Sequence, residues 1–290
     1  MIYVIMGPTC SGKTAAANKL MDILNCDAIN FDAFQIYKDM NIGTSKLDKE
    51  DPHYERYHLL DIVSPSDTFS VMEYQQLARK EIDKCLSEDK DVILVGGTGL
   101  YLRATLYDYE FAIEDKADDS DLEKLSNEEL YQLLLSLDKE STNKIHVNNR
   151  KRLIRAISMI RSSGVKKSER INSQKHEMIY KNVRLLYLSP NRDDLYQKIN
   201  DRVIEMVDNG LVDEVKNLLD KYELSLTAKQ GIGYKEIIEF LHGNCSLEDA
   251  ISTIQKRTRN YAKRQVTFFK NQFNSEEYKS VDELLKAIKE

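Results

Sequence analysis

Short apolar runs alternate with segments of helical periodicity along the first hundred residues of this 290-residue chain. Ile2–Met6, Cys26–Phe31 and Val92–Val95 are such runs, and Val183–Leu188 is another after a long gap. Apolar runs of this length, bounded by turns and separated by helices, are typical of buried parallel strands joined by crossover helices. The pattern therefore predicts an α/β fold built on a parallel sheet with flanking helices.

Beyond Pro190 the pattern is almost entirely helical. Apolar residues recur at helical spacing in Leu195–Met206, Val212–Leu219 and Ile251–Phe269, and Val281–Ile288 resembles a short closing helix. The second half of the chain is therefore predicted to add a helical C-terminal part to the sheet.

An acidic segment without strand signals interrupts the alternation. Residues 105–140 carry twelve acidic side chains and three lysines. We predict a phosphate-loop α/β core over residues 1–110 and a small helical insertion over residues 111–143. Residues 144–290 would then supply the rest of the core, basic helices and the helical C-terminal part.

Residues 7–14 read Gly-Pro-Thr-Cys-Ser-Gly-Lys-Thr between the first apolar run and a helical segment. This is the P-loop pattern in the strand–loop–helix context that it requires. Successive backbone N–H groups and the following helix N-terminus form a positive concavity for an anion. The predicted phosphate ligands are Gly7, Pro8, Thr9, Cys10, Ser11, Gly12, Lys13 and Thr14, with Thr14 also holding Mg²⁺. The chain is therefore expected to bind a di- or triphosphate.

Two further strand ends carry chemistry, and such ends meet at one edge of a parallel sheet. Asp32 follows the second strand, where it suits a general base or a metal-associated carboxylate, or simply a helix N-cap. Gly96–Gly99 follows the Val92–Val95 strand, with Thr98 where conventional P-loop ATPases place an acidic residue. The missing acid argues against a motor or helicase and leaves nucleotide kinases and other diphosphate chemistries open.

Charge is unevenly distributed in this chain of net charge −6. Residues 144–184 carry twelve basic and two acidic side chains, and residues 256–270 carry six basic ones and no acid. These blocks indicate a local polyanion-binding surface, although solvated helix faces would have the same composition.

The four cysteines are scattered and form no C-x-x-C pair, which is typical of reduced thiols in a cytoplasmic protein. No apolar run approaches the roughly 18 residues that a membrane span requires. We therefore expect a cytoplasmic protein without a membrane partner.

An ordered set of motifs along nearly the whole chain resembles the tRNA dimethylallyltransferases, also called tRNA isopentenyltransferases. Besides the phosphate loop, the matching segments are Asp32-Ala33-Phe34-Gln35-Ile36-Tyr37, Asn41-Ile42-Gly43-Thr44, Tyr57-His58-Leu59-Leu60-Asp61, Val95–Ala104, Asn149–Ala156, Gly231–Glu236 and Thr258–Thr267. A single match would be weak, whereas this ordered series is highly specific.

The resemblance implies transfer of a dimethylallyl group from dimethylallyl diphosphate to N6 of an adenosine. In the family this adenosine lies immediately 3′ to the anticodon of tRNAs reading codons that begin with U. The implied catalytic residues are Asp32, Thr98, Lys13 and Arg202, with Mg²⁺ as cofactor. Asp32 would act as the base, and the others would hold the diphosphate, although Arg202 could instead form a surface ion pair.

The resemblance also implies contacts with the tRNA anticodon stem-loop. The implied residues are Asp32, Ala33, Phe34, Gln35, Thr98, Lys151, Arg152, Leu153, Ile154, Arg155, Gln230, Gly231, Ile232, Gly233, Tyr234, Lys235, Lys263, Arg264, Gln265, Val266, Thr267, Phe268, Phe269 and Lys270. A monomer is expected.

Three alternatives share parts of this pattern. A nucleotide or small-molecule kinase would share the phosphate loop but would not explain two basic blocks. An adenylate isopentenyltransferase would use free AMP or ATP as acceptor and would not need the basic C-terminal helix. A noncatalytic nucleic-acid-binding protein would not need Lys13, Thr14 and Asp32 intact.

Overall fold

The computed structural model describes residues 1–109, 111, 119–166, 168–169 and 177–289. Its strands are β1 (Ile2–Met6), β2 (Asp27–Asn30), β3 (Tyr57–His58), β4 (Val92–Gly96), β5 (Val183–Leu188) and β6 (Glu276–Tyr278). They form one six-stranded sheet in the order β3-β2-β4-β1-β5-β6. Every neighbouring pair is parallel, so the predicted parallel α/β sheet is confirmed. Sequence periodicity missed β3 and β6 because two or three residues are too few to establish a period.

Helices flank the sheet and make up most of the second half of the chain. They are α1 (Lys13–Leu24), α2 (Val71–Ser87), α3 (Gly99–Leu106), α4 (Asn127–Leu137), α5 (Lys139–Thr142), α6 (Arg150–Ser163), α7 (Arg192–Asp208), α8 (Leu211–Lys221), α9 (Leu226–Lys229), α10 (Tyr234–Leu241), α11 (Leu247–Gln272) and α12 (Val281–Lys289). Within the described ranges, no helix has both the length and the apolar character needed to cross a membrane.

The central strand β1 positions the phosphate loop. Its five residues are all buried, and it pairs with β4 on one side and β5 on the other. Because all the strands are parallel, the loops that follow β1, β2 and β4 meet at the same sheet edge. The three strand ends singled out in the sequence are therefore neighbours.

A second apolar core lies among the C-terminal helices. Its buried members include Val203 of α7, Val215 of α8, Ile237 of α10 and Ile254 of α11. An ion pair between Arg257 of α11 and the buried Glu236 of α10 links these two helices. This packing confirms the predicted helical C-terminal part.

The chain divides into two compact units, residues 1–106 with 180–290 and residues 107–179. The second unit is larger than the predicted insertion 111–143, and part of that prediction, residues 112–118, lies outside the described residues. The difference comes from α6, which lies beyond the acidic segment that defined the predicted insertion. Its apolar stripe instead packs against α4 in a cluster of Leu122, Leu130, Leu134, Ile145, Leu153, Ala156 and Ile157.

A buried carboxylate in the second unit joins α5 to the segment that follows α6. Asp138 is 2% exposed. It accepts hydrogen bonds from the hydroxyl and backbone N–H of Ser141, at 2.6 and 3.2 Å, and from those of Ser168, at 2.6 and 2.9 Å. Burial alone would raise the pKa of Asp138, but these bonds to its ionised form outweigh burial and lower the pKa to about 2.

Asp138→Asn should lower the free energy of unfolding of the second unit by on the order of 1–3 kcal/mol at pH 7, because a buried hydrogen-bond network loses its charged acceptor. The folded pKa lies below the unfolded one, so this contribution is complete above about pH 4. It disappears as the pH falls towards 2. Urea unfolding of both proteins across this range should show curves that converge at low pH. Glu128→Gln, on the exposed face of α4, is the control. A constant difference at all pH values would contradict the prediction.

Candidate active site

The loops that follow β1, β2 and β4 meet helices α7 and α11 around a cavity of about 550 Å³. The predicted site residues that line it are Thr9, Cys10, Ser11, Gly12, Lys13, Thr14, Asp32, Phe34, Gln35, Arg202, Gln230, Gly231, Ile232, Tyr234, Arg264 and Gln265. Residues separated by up to 256 positions in the sequence therefore contribute to one site.

The phosphate loop wraps around the amino group of Lys13. Gly12 has φ +91°, a left-handed conformation that glycine adopts readily, and it starts α1 directly after the turn. Lys13 Nζ donates to the Pro8 carbonyl at 2.7 Å, inside the loop. Burial lowers the pKa of Lys13 to about 8, and Arg202 acts in the same direction while Asp32 opposes both. The lysine is therefore mostly protonated at neutral pH and loses its proton as the pH rises through about 8.

Arg202 brings a second positive charge to the loop. Its guanidinium Nη1 lies 3.3 Å from Cys10 Sγ and 3.5 Å from Thr9 Oγ1. Leu195 and Ile199, about two turns and one turn before Arg202 on the same face of α7, are buried and so fix the direction of the arginine. The guanidinium therefore lies at the phosphate loop, which is where the family resemblance placed it.

The loop after β2 is held by the side chains of Asn30 and of Asp32 itself. Buried Asn30 accepts from the Asp32 N–H at 3.0 Å and donates to the Leu59 carbonyl at 3.1 Å. Asp32 Oδ1 accepts from the Phe34 N–H at 3.0 Å, in a turn rather than at a helix N-cap. These bonds fix the carboxylate at the cavity wall.

Thr98 connects the β4 turn to the Asp32 loop. Its hydroxyl oxygen accepts from the Ala33 N–H at 3.0 Å, and its own N–H donates to the Phe31 carbonyl at 3.2 Å. The predicted catalytic threonine therefore supports the loop that carries Asp32.

The glycines of the β4 turn have a packing role that the sequence analysis did not recognise. A Cβ on Gly96 would lie 2.6 Å from the Phe31 backbone, and one on Gly97 or Gly99 would overlap with Gln265 or Phe268 of α11. The turn is thus glycine-rich because the helix docks directly on it.

Tyr261 is a cavity residue outside the predicted set. Burial together with the charge of Asp32 raises the pKa of its phenol. A protonated phenol is therefore kept beside the carboxylate. The signal that could have identified it is its place in the apolar stripe of α11, one turn before Gln265.

Glu214 of α8 anchors the loop beside Gln35. Its carboxylate accepts from three consecutive N–H groups, those of residues 41–43, at 2.9, 2.7 and 3.1 Å. The Gln35 side-chain nitrogen in turn donates to the carbonyls of Thr44 and Ser45 at 3.1 and 3.3 Å. Both partners of this nitrogen are acceptors, so the amide orientation is determined. No local motif marks Glu214 because these three N–H groups lie more than 170 residues away in the sequence.

Part of the cavity wall is apolar. Ile199, Val203 and Met206 of α7 meet Ile232 and Ile254 there. The cavity therefore joins a cationic phosphate loop to an aliphatic surface and a carboxylate.

The predicted tRNA contacts beyond residue 150 fall into four groups. Side chains in the packed core are Leu153, Tyr234, Gln265 and Phe269. Exposed residues are Lys151, Arg152, Arg155, Gln230, Lys263, Arg264, Thr267 and Lys270, and half-buried ones are Ile154, Ile232, Lys235, Val266 and Phe268. Buried Gly231 and Gly233 lie in the backbone turn before α10. Residues 151–155 lie on α6 of the second unit, whereas the other residues belong to the first unit. Of the core group, Tyr234 and Gln265 line the cavity, whereas Leu153 and Phe269 do not.

Comparison with known proteins places the chain in a family. The family model described as IPP transferase matches residues 35–272. A tRNA dimethylallyltransferase from Bacillus licheniformis is 40% identical over 279 residues, covering 94% of this chain and 88% of that protein. Its counterpart from Bacillus velezensis is 41% identical over 277 residues, covering 93% and 88%.

Solved structures agree with the sequence matches. A tRNA delta(2)-isopentenylpyrophosphate transferase from Staphylococcus epidermidis has a TM-score of 0.73 and 36% identity, covering 99% of this chain and 97% of the other. A eukaryotic dimethylallyltransferase acting on tRNA has a TM-score of 0.84 and 28% identity, covering 99% and 77%. By sequence and by structure, the chain belongs to the IPP transferase family.

Proposed function

We propose that this protein acts in the cytoplasm and transfers a dimethylallyl group from dimethylallyl diphosphate to N6 of the adenosine immediately 3′ to the anticodon, in tRNAs reading codons that begin with U. The observation that carries this proposal is the cavity in which a phosphate loop, an aliphatic wall and the Asp32 carboxylate meet. A ribose placed against Ile199, Val203 and Met206 would leave hydroxyl groups without partners. A prenyl diphosphate fits this arrangement better than a nucleotide does.

The diphosphate would be held by the phosphate-loop N–H groups, Lys13 and Arg202. Charge builds up on this leaving group as the allylic carbon–oxygen bond breaks, so preformed positive groups lower the barrier. Ser11 Oγ is buried without a hydrogen-bond partner among the described residues, which suits a site for further oxygen ligands.

Mg²⁺ fits the proposed site as a substrate-bound ion. In the described part of the chain, no group of three His, Cys, Asp or Glu side chains could hold a metal. Mg²⁺ commonly binds through substrate phosphates, water and few protein groups, and the exposed Thr14 at the start of α1 can supply one oxygen. The ion would neutralise charge on the leaving diphosphate.

Asp32 would act on the acceptor base. The N6 lone pair attacks C1 of the allyl group, and the electrons of the broken C–O bond leave with the diphosphate. The proton released from N6 passes to Asp32 Oδ2, while Oδ1 keeps its bond to the Phe34 N–H. Gln35, with its nitrogen held by carbonyls, would present its oxygen to a base N–H.

RNA would bind through the exposed basic residues of α11 and α6. Lys263, Arg264 and Lys270 are exposed on α11, and Lys151 and Arg152 are exposed on α6. Phosphate contacts of this kind make affinity fall steeply with salt concentration. A base stacked in an RNA loop must also turn out of its stack to enter the cavity.

The function is tested by incubating the protein with labelled dimethylallyl diphosphate, Mg²⁺ and either unmodified tRNA or AMP. The proposal predicts label on the tRNA alone, at the adenosine 3′ to the anticodon. Label on AMP alone would make the protein an adenylate isopentenyltransferase. Phosphoryl transfer from ATP without prenyl transfer would make it a kinase.

Asp32→Asn should reduce the single-turnover transfer rate by about 10²–10⁴-fold, because the isosteric amide cannot take the N6 proton. Diphosphate affinity should be unchanged or tighter, since a negative charge near Lys13 is removed. Single-turnover kinetics and calorimetry with inorganic diphosphate measure the two effects. Asp282→Asn, an exposed change on α12, is the control. A transfer rate within threefold of wild type would reject the base role.

Diphosphate affinity should weaken above about pH 8, where Lys13 loses its proton, with the loss approaching tenfold per pH unit. Lys13→Arg keeps its charge at every accessible pH and should lack this loss. The ratio of the two dissociation constants, measured by calorimetry from pH 6.5 to 9.5, cancels the titration of the diphosphate itself. A ratio that does not change with pH would show that Lys13 does not titrate in this way.

A further inference from the structure

Gln265 is the buried polar residue of α11 at which two substrate loops meet. It is 6% exposed. Its oxygen Oε1 accepts from the Thr9 N–H of the phosphate loop at 2.9 Å, and its nitrogen Nε2 donates to the Gly97 carbonyl of the β4 turn at 2.9 Å. One side chain therefore bonds to two loops that are 88 residues apart in the sequence.

The surroundings leave the amide little freedom. A Cβ on Gly97 would overlap with Nε2, so the turn reaches the amide because this position lacks a side chain. Ala262 and Phe269 of the same helix face are buried at 0% and 1% exposure, which fixes the helix against the site. The amide orientation follows from its partners, since an N–H must meet Oε1 and a carbonyl must meet Nε2.

Each of the two hydrogen bonds of Gln265 holds a loop that is proposed to contact one of the two reacting groups. Thr9 lies in the loop proposed to hold the diphosphate, beside the Arg202 guanidinium. Gly97 precedes Thr98, whose hydroxyl holds the Ala33 N–H in the loop of Asp32. The Gln265 amide thus connects the leaving-group loop to the loop of the proposed base.

We propose that Gln265 is a positioning residue that sets the distance between the diphosphate and the acceptor base, and that it does not contact RNA. This inference rests on the proposed function. The Thr9 N–H points to Gln265, so the diphosphate is held by the later N–H groups of the loop. Exposed Lys263 and Arg264 on the same helix face the solvent, where the RNA would bind.

Positioning and RNA contact predict different kinetics. A positioning residue affects the rate of the chemical step, since a displacement of about 1 Å can lower a rate about 100-fold. A residue that contacts RNA affects RNA affinity. Loss of a positioning residue therefore lowers kcat, whereas loss of an RNA contact raises the dissociation constant of the RNA.

The test uses three variants of the full chain. Gln265→Met keeps the length of the side chain and removes both bonds. Gly97→Ala keeps the Gln265 side chain but adds a methyl group that would overlap with its nitrogen Nε2. The same methyl group would lie at an ordinary contact distance of 3.5 Å from Asp32 Oδ2. Gln255→Met makes the same chemical change elsewhere on α11, where Gln255 donates to the Asn200 carbonyl at 3.1 Å.

Gln265→Met should lower kcat for prenyl transfer about 100-fold while the dissociation constant of an unmodified anticodon stem-loop stays within twofold of wild type. Gly97→Ala should give the same split. Gln255→Met should keep kcat within threefold although it also removes a hydrogen bond from α11. Thermal unfolding of each variant shows whether a loss of rate follows a loss of folded protein, and Gly97→Ala decides the question if Gln265→Met does not fold.

Two results would overturn the inference. A raised dissociation constant of the stem-loop with unchanged kcat would make Gln265 an RNA contact. Equal losses of kcat in Gln265→Met and Gln255→Met would make the effect one of general helix packing. Absence of prenyl transfer by the wild-type protein would instead reject the proposed function itself, so the two failures are distinguishable.

Discussion

The close approach of α11 to the turn after β4 is the constraint on which the site depends. Glycines at positions 97 and 99 make this approach possible, since a side chain at either would overlap with Gln265 or Phe268. With the helix in contact, one amide can reach both the phosphate loop and the turn. The three loops at the sheet edge could bind an anion alone, and the C-terminal helices close the cavity on a further side.

The same helix explains how one cavity combines opposite requirements. Its buried face contributes Ile254 and Gln265 to the cavity, and its exposed face carries Lys263 and Lys270. The leaving diphosphate is stabilised by preorganised positive groups in a cavity that excludes bulk water, whereas RNA phosphates bind Lys and Arg side chains at the surface. A long amphipathic helix separates these two functions by its faces.

Much of this arrangement could be predicted from the sequence, because the information was local. The phosphate loop, the strands before it and after it, and the ordered motifs identified the fold and family. The roles of Glu214 and Tyr261 and the two hydrogen bonds of the Gln265 side chain were not predicted. Each of them depends on contacts between distant segments of the chain. The boundary of the second unit was misplaced for a related reason: charge on α6 was conspicuous, whereas its apolar stripe became informative only when α4 lay against it.

The most direct test of this account is a crystal structure of the protein with inorganic diphosphate and Mg²⁺. The account predicts a diphosphate between Lys13 and Arg202, bound by the N–H groups that follow Thr9, with the Thr9 N–H still on Gln265. A diphosphate bound to the Thr9 N–H, with the Gln265 amide displaced from Gly97, would contradict it.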